Sequence, residues 1–188
     1  RTGLIDKGQR MVEKELYFTI WAPRQTGKST YFRQLADRLE GQGYLAAHIN
    51  FENYKHASLE SFINKLKGEL TASLDINFKH NELADIFYKI ENINDRKCVL
   101  IIDEVEGIND AYFNDFLHAI RSAYHTRKTH CLKSVILVGV SNIVGVAGDN
   151  ASPFNITDNL EVPYFTDEEV FMLLGQHEKE TEQLFDHS

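Results

Sequence analysis

The sequence predicts an α/β fold in which a parallel β-sheet carries helices on both faces. Strand-like and helix-like segments alternate along the chain, an order typical of parallel strands joined by helical crossovers. Residues 98–102 are apolar throughout, as expected of a strand that is covered on both faces. The 188 residues are enough for one such domain with a substantial hydrophobic core.

The first half of the chain contains two strand–helix units. Residues 17–22 are β-branched, aromatic or small, which indicates a strand. Apolar side chains at helical spacing predict a helix at 29–40, and a glycine-containing segment marks its end. Residues 44–51 predict the second strand. Residues 58–74 predict an amphipathic helix with a serine at its N-cap position.

The second half continues the alternation. A stripe of apolar side chains predicts a helix at 81–92, and the apolar run at 98–102 predicts the third strand. A helix is predicted at 110–124 and the fourth strand at 134–140.

The last predicted elements are short. Residues 160–162 read as a fifth strand that Pro163 ends. Thr166 and Glu169 have the spacing of a capping box, which predicts a final helix through about residue 185.

Charge and composition argue against several classes of protein. With 20 basic and 28 acidic residues the net charge is −8, which gives no support for bulk attraction to nucleic acid or anionic lipid. No apolar stretch approaches the ~18 residues of a membrane span. Cys98 and Cys131 have neither zinc-finger nor disulfide-framework spacing. We therefore expect a cytoplasmic protein with Cys98 in its core, and we interpret the chain, which begins at Arg1, as a piece of a longer protein.

A phosphate-binding loop is predicted between the first strand and the following helix. Residues 22–29 fit a P-loop in which alanine replaces the first glycine. Gly27 lets the backbone approach a phosphate, Lys28 supplies positive charge, and Ser29 offers a hydroxyl to Mg²⁺. The alternative is an ordinary strand-to-helix turn, which the same proline and glycine would also suit. The predicted nucleotide-binding residues are Ala22, Pro23, Arg24, Gln25, Thr26, Gly27, Lys28, Ser29 and Thr30.

Two carboxylates follow the third predicted strand. In a parallel sheet the carboxyl ends of the strands face the ligand crevice, so Asp103 is expected to reach Mg²⁺, usually through a water. Glu104 is expected to orient and deprotonate the attacking water. An acidic residue after a strand is also common in turns, so this prediction depends on the upstream P-loop.

Together these motifs resemble those of the additional-strand P-loop ATPases, in particular the AAA+ and STAND group. The resemblance covers about residues 4–175 and includes the end of the fourth strand at 138–142 and the segment 152–166. It is similar to the AAA-like modules of bacterial signalling and conflict proteins, and more distantly to origin-recognition ATPases.

The resemblance implies a three-layer α/β/α P-loop NTPase fold with a five-stranded parallel sheet in the order 5-1-4-3-2. It also implies an ATPase core at 1–165 and the start of a helical lid or linker at 166–188. ATP and Mg²⁺ are the implied cofactors, with Ser29 and Asp103 on the metal. The implied catalytic residues are Glu104, Lys28 and Asn142, the last as a γ-phosphate sensor.

The expected function is therefore an ATPase module that binds Mg-ATP and hydrolyses it as a conformational switch for an attached effector. No arginine follows Arg127, so the lid arginine is unassigned. The inter-subunit arginine finger is also unassigned, because Arg121 and Arg127 before the fourth strand fit a solvated helix face at least as well. The missing lid arginine favours an alternative, a nucleotide-dependent scaffold that binds ATP with little or no hydrolysis. It also counts against a third hypothesis, a P-loop kinase acting on a small molecule.

The expected partners follow from the same resemblance. They are ATP and ADP, a second copy of the ATPase domain, and a protein effector on flanking domains. Nucleic acid is expected by family analogy only, and no membrane is expected.

Overall fold

The computed structural model describes residues 2–23, 26–75, 78, 82–87, 90, 96–140 and 158–181. The described strands are β1 (Phe18–Trp21), β2 (Leu45–Asn50), β3 (Cys98–Asp103), β4 (Leu132–Gly139) and β5 (Asp158–Glu161). The described α-helices are α1 (Thr2–Glu13), α2 (Lys28–Gly41), α3 (Leu59–Leu74), α4 (Leu83–Ile86), α5 (Asp110–Thr126) and α6 (Asp167–Thr181). A short 3₁₀ helix at Val105–Gly107 follows β3.

The five strands form one parallel sheet in the order β2-β3-β4-β1-β5. This is the order 5-1-4-3-2 read from the other edge, so the predicted fold class is confirmed. β4 separates β1 from β3, and parallel strands end at the same edge of a sheet. The loops that follow β1 and β3 therefore leave the same edge, one strand apart.

Both faces of the sheet are covered. Within β3, Cys98, Leu100 and Ile102 belong to the core cluster that contains residues of α3, α4 and α5. The intervening Val99 and Ile101 belong to the cluster formed with α1 and α2. This alternation is the period of two expected of a strand, and it explains why β3 is apolar throughout. Cys98 is buried, as predicted, with its Sγ 3.2 Å from that of Cys131.

The predicted helix at 81–92 is wrong in extent. In the described part of that segment the helix spans only Leu83–Ile86. Phe87 and Ile90 are buried beyond its end, so burial of the apolar stripe does not require the helix to continue. The predicted caps are confirmed: the Ser58 hydroxyl accepts a hydrogen bond from the Ser61 N–H. The backbone N–H groups of Thr166 and Glu169 each donate to the other's side chain at 3.2 Å.

The last helix differs from the others. None of the residues of α6 is buried, and its exposed apolar side chains include Val170, Phe171, Met172 and Leu173. The helix ends at Thr181, and the predicted continuation to 185 lies outside the described residues. In the described part of the chain, no helix is long and apolar enough to cross a membrane.

Candidate nucleotide-binding site

The described ends of the loop between β1 and α2 have features that suit an anion. Gly27 is the N-cap of α2 and adopts the left-handed conformation at φ 79°, which glycine enters without steric cost. The Thr26 hydroxyl donates to the Pro23 carbonyl at 2.9 Å and closes the turn. Because glycine has no side chain to cap the helix, the first N–H groups of α2 are suited to an anion. Arg24 and Gln25 lie outside the described residues.

The P-loop lysine lies beside both carboxylates that follow the apolar part of β3. Lys28 is only 9% exposed, and its Nζ is 2.9 Å from Glu104 Oε1 and 3.8 Å from Asp103 Oδ1. The structure thus brings together two motifs that are far apart in sequence. Lys28 and Asp103 are buried, whereas the Glu104 side chain is 28% exposed, so this group of charges reaches from the core to the surface.

Asp103 and Glu104 are oriented by the way β3 ends. Asp103 is buried at the last position of the strand, and its Oδ1 accepts the Glu104 N–H at 2.9 Å. Glu104 adopts the left-handed conformation at φ 53°, which is uncommon for a residue with a side chain and costs about 1 kcal/mol. The sharp turn separates the two carboxylates, so Asp103 stays in the sheet while Glu104 faces the cleft.

A cleft of about 660 Å³ opens between the start of α2 and the ends of β3 and β4. The predicted residues on its walls are Pro23, Gly27, Lys28, Ser29, Thr30 and Glu104. Sequence reasoning missed Lys55, Glu106 and Gly107, which also line it. Their only sequence signal is that each follows a strand at the carboxyl edge of the sheet.

Glu106 has an unusual environment on this cleft. Its Oε1 accepts the Val140 N–H at 3.1 Å, which links the end of β4 to the 3₁₀ helix. Partial burial raises the pKa of Glu106, and the neighbouring charge of Glu104 adds to the rise. Two neighbouring carboxylates disfavour ionisation of both. A cation bound beside them would stabilise the doubly ionised form.

A second cavity of about 650 Å³ adjoins the loop on the side of α6. It is lined mainly by apolar and aromatic groups, with Tyr31 on α2, Phe165 before α6 and Met172 and Leu173 on α6. Gly27 borders both cavities, and a Cβ at that position would lie 3.1 Å from the Phe165 ring. A polar cleft and an apolar groove therefore meet at the P-loop glycine.

The segment before β1 is the helix α1, which packs against α2. The Tyr31 hydroxyl donates to the Leu4 carbonyl at 2.9 Å, and burial raises the pKa of that tyrosine. The residues that line the apolar groove come from α2 and α6 and the segment before α6, together with Gly27. Asn142, the predicted γ-phosphate sensor, lies outside the described residues.

The few protein oxygen atoms at the described site suit a metal ion that is also bound by phosphates and waters. No group of three or more His, Cys, Asp or Glu side chains in the described part of the chain is arranged to hold a metal ion. Mg²⁺ is commonly bound by one or two protein oxygens together with phosphates and waters. Ser29 on the cleft and Asp103, whose Oδ1 is 3.8 Å from Lys28 Nζ, are oxygen donors of that kind, whereas a metal held by side chains alone would need more ligands.

Comparison with known proteins agrees with this geometry. Residues 11–146 match the model of the AAA domain family. An uncharacterized ATP-binding protein of Methanocaldococcus jannaschii is 30% identical over 119 residues, which are 50% of this chain and 35% of that protein. The chain therefore spans about a third of that relative.

Two solved structures have the same fold at low sequence identity. The Walker-type ATPase of Pyrococcus abyssi superposes with a TM-score of 0.71 and 16% identity, covering 96% of this chain and 59% of that one. Cdc6p of Pyrobaculum aerophilum gives a TM-score of 0.68 and 16% identity, covering 96% of this chain and 49% of that one. Since the family model matches well over half of the sequence, the chain belongs to the AAA domain family and is a P-loop module of the AAA+ ATPase type.

Proposed function

We propose that this module binds Mg-ATP in the polar cleft and hydrolyses it. The observation that carries the proposal is the position of Lys28, with its Nζ 2.9 Å from Glu104 and 3.8 Å from Asp103. These contacts support roles for Lys28 as a phosphate-binding cation, for Asp103 as a metal ligand and for Glu104 as a general base. Phosphoryl transfer to water requires these three elements.

The P-loop would hold the phosphates. The N–H groups at the start of α2 and the Lys28 ammonium would bind phosphate oxygens. Ser29 and Asp103 would hold Mg²⁺, which supplies neutralising charge to the transferring phosphoryl group.

Glu104 would act on the water. A phosphate in the cleft gives Lys28 a second anionic partner, which weakens its hold on Glu104. The carboxylate then becomes available to orient a water and to accept its proton. The neighbouring Glu106 lines the same cleft, and burial raises its pKa.

The apolar groove suits the base of the nucleotide. Its aromatic and aliphatic walls adjoin the P-loop at Gly27, and a flat heteroaromatic ring buries well against such side chains. Phe165 and residues of α6 form one wall of the groove. This supports the proposed division into a core at 1–165 and the start of a helical lid at 166–188. Nucleotide binding would then alter the position of α6 and so act as a switch.

The second candidate function is nucleotide binding with little or no turnover. It is favoured by the described lining of the cleft, which contains two lysines and no arginine, since an arginine would offset charge on the transferring phosphate. In that case the module would be a nucleotide-dependent scaffold. The two candidates share one binding site and differ only in the role of Glu104.

The wider setting follows the family resemblance. We propose a STAND-like arrangement in the cytoplasm, with self-association through the ATPase domain and an effector on flanking domains. The net charge of −8 does not favour nucleic acid as a direct partner of this module.

The test is phosphate release from Mg-ATP by the intact chain and by the Glu104→Gln variant. Hydrolysis predicts a fall of at least about 100-fold in the variant, within the range typical of general-base removal. Glu40→Gln, an exposed substitution on α2, is the matched control and should release phosphate as the wild type does. Equal release by wild type and Glu104→Gln would favour the scaffold, provided that both bind ATP.

A binding measurement tests the site itself. Lys28→Ala should remove ATP binding measured by calorimetry, whereas Lys65→Ala, a lysine on α3 outside the cleft, should keep it. ATP affinity that survives in Lys28→Ala, with an unchanged melting temperature, would contradict the proposed site.

A further inference from the structure

We propose that Lys55 is a second phosphate-contacting cation of the cleft and that it acts on the terminal phosphate of a bound nucleoside triphosphate. This inference rests on the proposed nucleotide function and adds a residue to the same site. Lys55 lies in the loop after β2, and it lines the cleft together with Lys28, Ser29 and Glu104. The cleft therefore has one lysine from the P-loop and another from the loop that follows the outer strand β2.

The loop that carries Lys55 is fixed against the segment that follows β3. A Cβ on Gly107 would lie 2.2 Å from the Phe51 carbonyl oxygen, so only glycine allows the two backbones to come so close. At the far end of the loop, the Tyr112 hydroxyl and the Asn109 amide donate to the Ala57 carbonyl at 3.1 and 3.3 Å. Lys55 thus projects from a loop that is held at both ends.

The Lys55 ammonium is held at the edge of the cleft by a weak pair. Its Nζ is 2.7 Å from Asp110 Oδ1 and 3.5 Å from the Ile108 carbonyl. The side chains of Lys55 and Asp110 are 45% and 82% exposed, and exposed ion pairs of this kind add little to stability. A phosphate carries more charge than one carboxylate and competes well for such an ammonium.

The acidic residues that line the cleft make a second cation favourable for binding a triphosphate. Glu52, Glu104 and Glu106 line the same cleft, and Lys28 already pairs with Glu104. A triphosphate brings further negative charge next to these carboxylates, and a second lysine offsets the repulsion.

The position of Lys55 assigns it to the outermost phosphate. With the phosphates at the start of α2 and Glu104 acting on the attacking water, the terminal phosphate would lie toward the end of β3, whose neighbour in the sheet is β2. Since Lys55 follows β2, it meets the terminal phosphate group, which a diphosphate lacks.

The experiment compares the affinities of the intact chain for Mg-ATP and Mg-ADP by calorimetry. Lys55→Met keeps the length of the side chain and removes its charge, and it should lower the ratio of ATP affinity to ADP affinity about fivefold, the effect of one partly exposed charge contact. Lys55→Arg should keep at least half of the wild-type ratio. The matched control is Lys65→Met, because Lys65 also pairs with a carboxylate, Glu69, at 3.1 Å and lies 5.4 Å from the ring of Tyr54 in the same loop.

The outcomes separate this inference from the proposed function. ATP and ADP affinities that are both unchanged in Lys55→Met, with ATP bound by the wild type, would overturn the role of Lys55 and leave the proposed function standing. An equal loss of ATP and ADP affinity would overturn the assignment to the terminal phosphate. A wild-type chain that binds neither nucleotide would overturn both. Equal melting temperatures of the variants establish that the comparison is between folded proteins.

Discussion

The helices α2 and α6 face the same apolar groove, yet they are attached to the molecule in different ways. α2 buries Tyr31, Phe32, Leu35 and Leu39 as well as the P-loop lysine. All residues of α6 are described and none of them is buried. One wall of the groove therefore belongs to the core, whereas the other is joined to it by the segment that follows β5.

The difference in burial between α2 and α6 indicates that folding fixes the position of α2, whereas α6 moves more easily. Burial of apolar area is the main source of folding free energy, and elements with few buried contacts open at low cost. The P-loop side of the site is thus preformed by the core. The position of α6 is expected to respond to what occupies the groove.

The largest effect that tests this comparison comes from two matched truncations. Leu35 on α2 is fully buried, whereas Leu173 on α6 is 48% exposed. Leu35→Ala should lower the free energy of unfolding by about 3 kcal/mol because it leaves a cavity, and Leu173→Ala should change it by less than about 1 kcal/mol. Urea unfolding followed by circular dichroism measures both, and equal losses would show that α6 is part of the core.

Two glycine substitutions give the next largest contrast. An alanine Cβ at Gly107 would meet the Phe51 carbonyl oxygen at 2.2 Å, whereas one at Gly175 in α6 would have nothing within 4 Å. Gly107→Ala should destabilise the fold by about 2 kcal/mol through overpacking. Gly175→Ala should stabilise α6 locally by about 0.5 kcal/mol or slightly more, because alanine has the higher helix propensity. Thermal unfolding of both variants checks the sign as well as the size, and a harmless Gly107→Ala would contradict the tight contact with the loop of Lys55.

Much of the site could be predicted from sequence because it lies at strand ends. Gly27 and Lys28 follow β1, while Asp103 ends β3 and Glu104 follows it, so parallel pairing brings them to one edge of the sheet. The family resemblance supplied the strand order that makes the two strands near neighbours. Local sequence and topology together were enough for these residues.

Other features depend on contacts that leave no local pattern. Lys55 reaches the cleft because Gly107 admits the backbone of Phe51, and nothing near Lys55 in the sequence indicates this. The helix at 81–92 was predicted too long because periodicity reports burial, and Phe87 and Ile90 are buried beyond the helix end. Tertiary packing decided both cases.

A smaller effect is expected at the start of α6. Thr166 and Glu169 exchange hydrogen bonds between side chain and backbone, and loss of such a cap costs about 1 kcal/mol. In Thr166→Ala the amides of α6 should exchange with solvent about fivefold faster, while the global unfolding midpoint stays within about 1 °C, since α6 adds little to the core. Hydrogen exchange measured by mass spectrometry reports the two regions separately. A fall in global stability equal to the local loss would contradict the independence of α6.

The smallest expected effect concerns the charge of Glu106, on the core side of the site. Partial burial raises the pKa of Glu106 in the folded protein. The stability that this pKa difference contributes is fully present below the pKa of about 4.3 in the unfolded chain. It is lost as the pH rises through the pKa in the folded protein. Ionised Glu106 therefore opposes folding at neutral pH. Glu106→Gln keeps an oxygen acceptor for the Val140 N–H and should raise stability at pH 7 by about 0.5 kcal/mol or less, with no gain at pH 4. The control is Glu168→Gln on exposed α6, which removes the same charge from a chain of net charge −8. Thermal unfolding measures the stability of both variants. Equal gains in stability would assign the effect to net charge instead of to burial in the cleft.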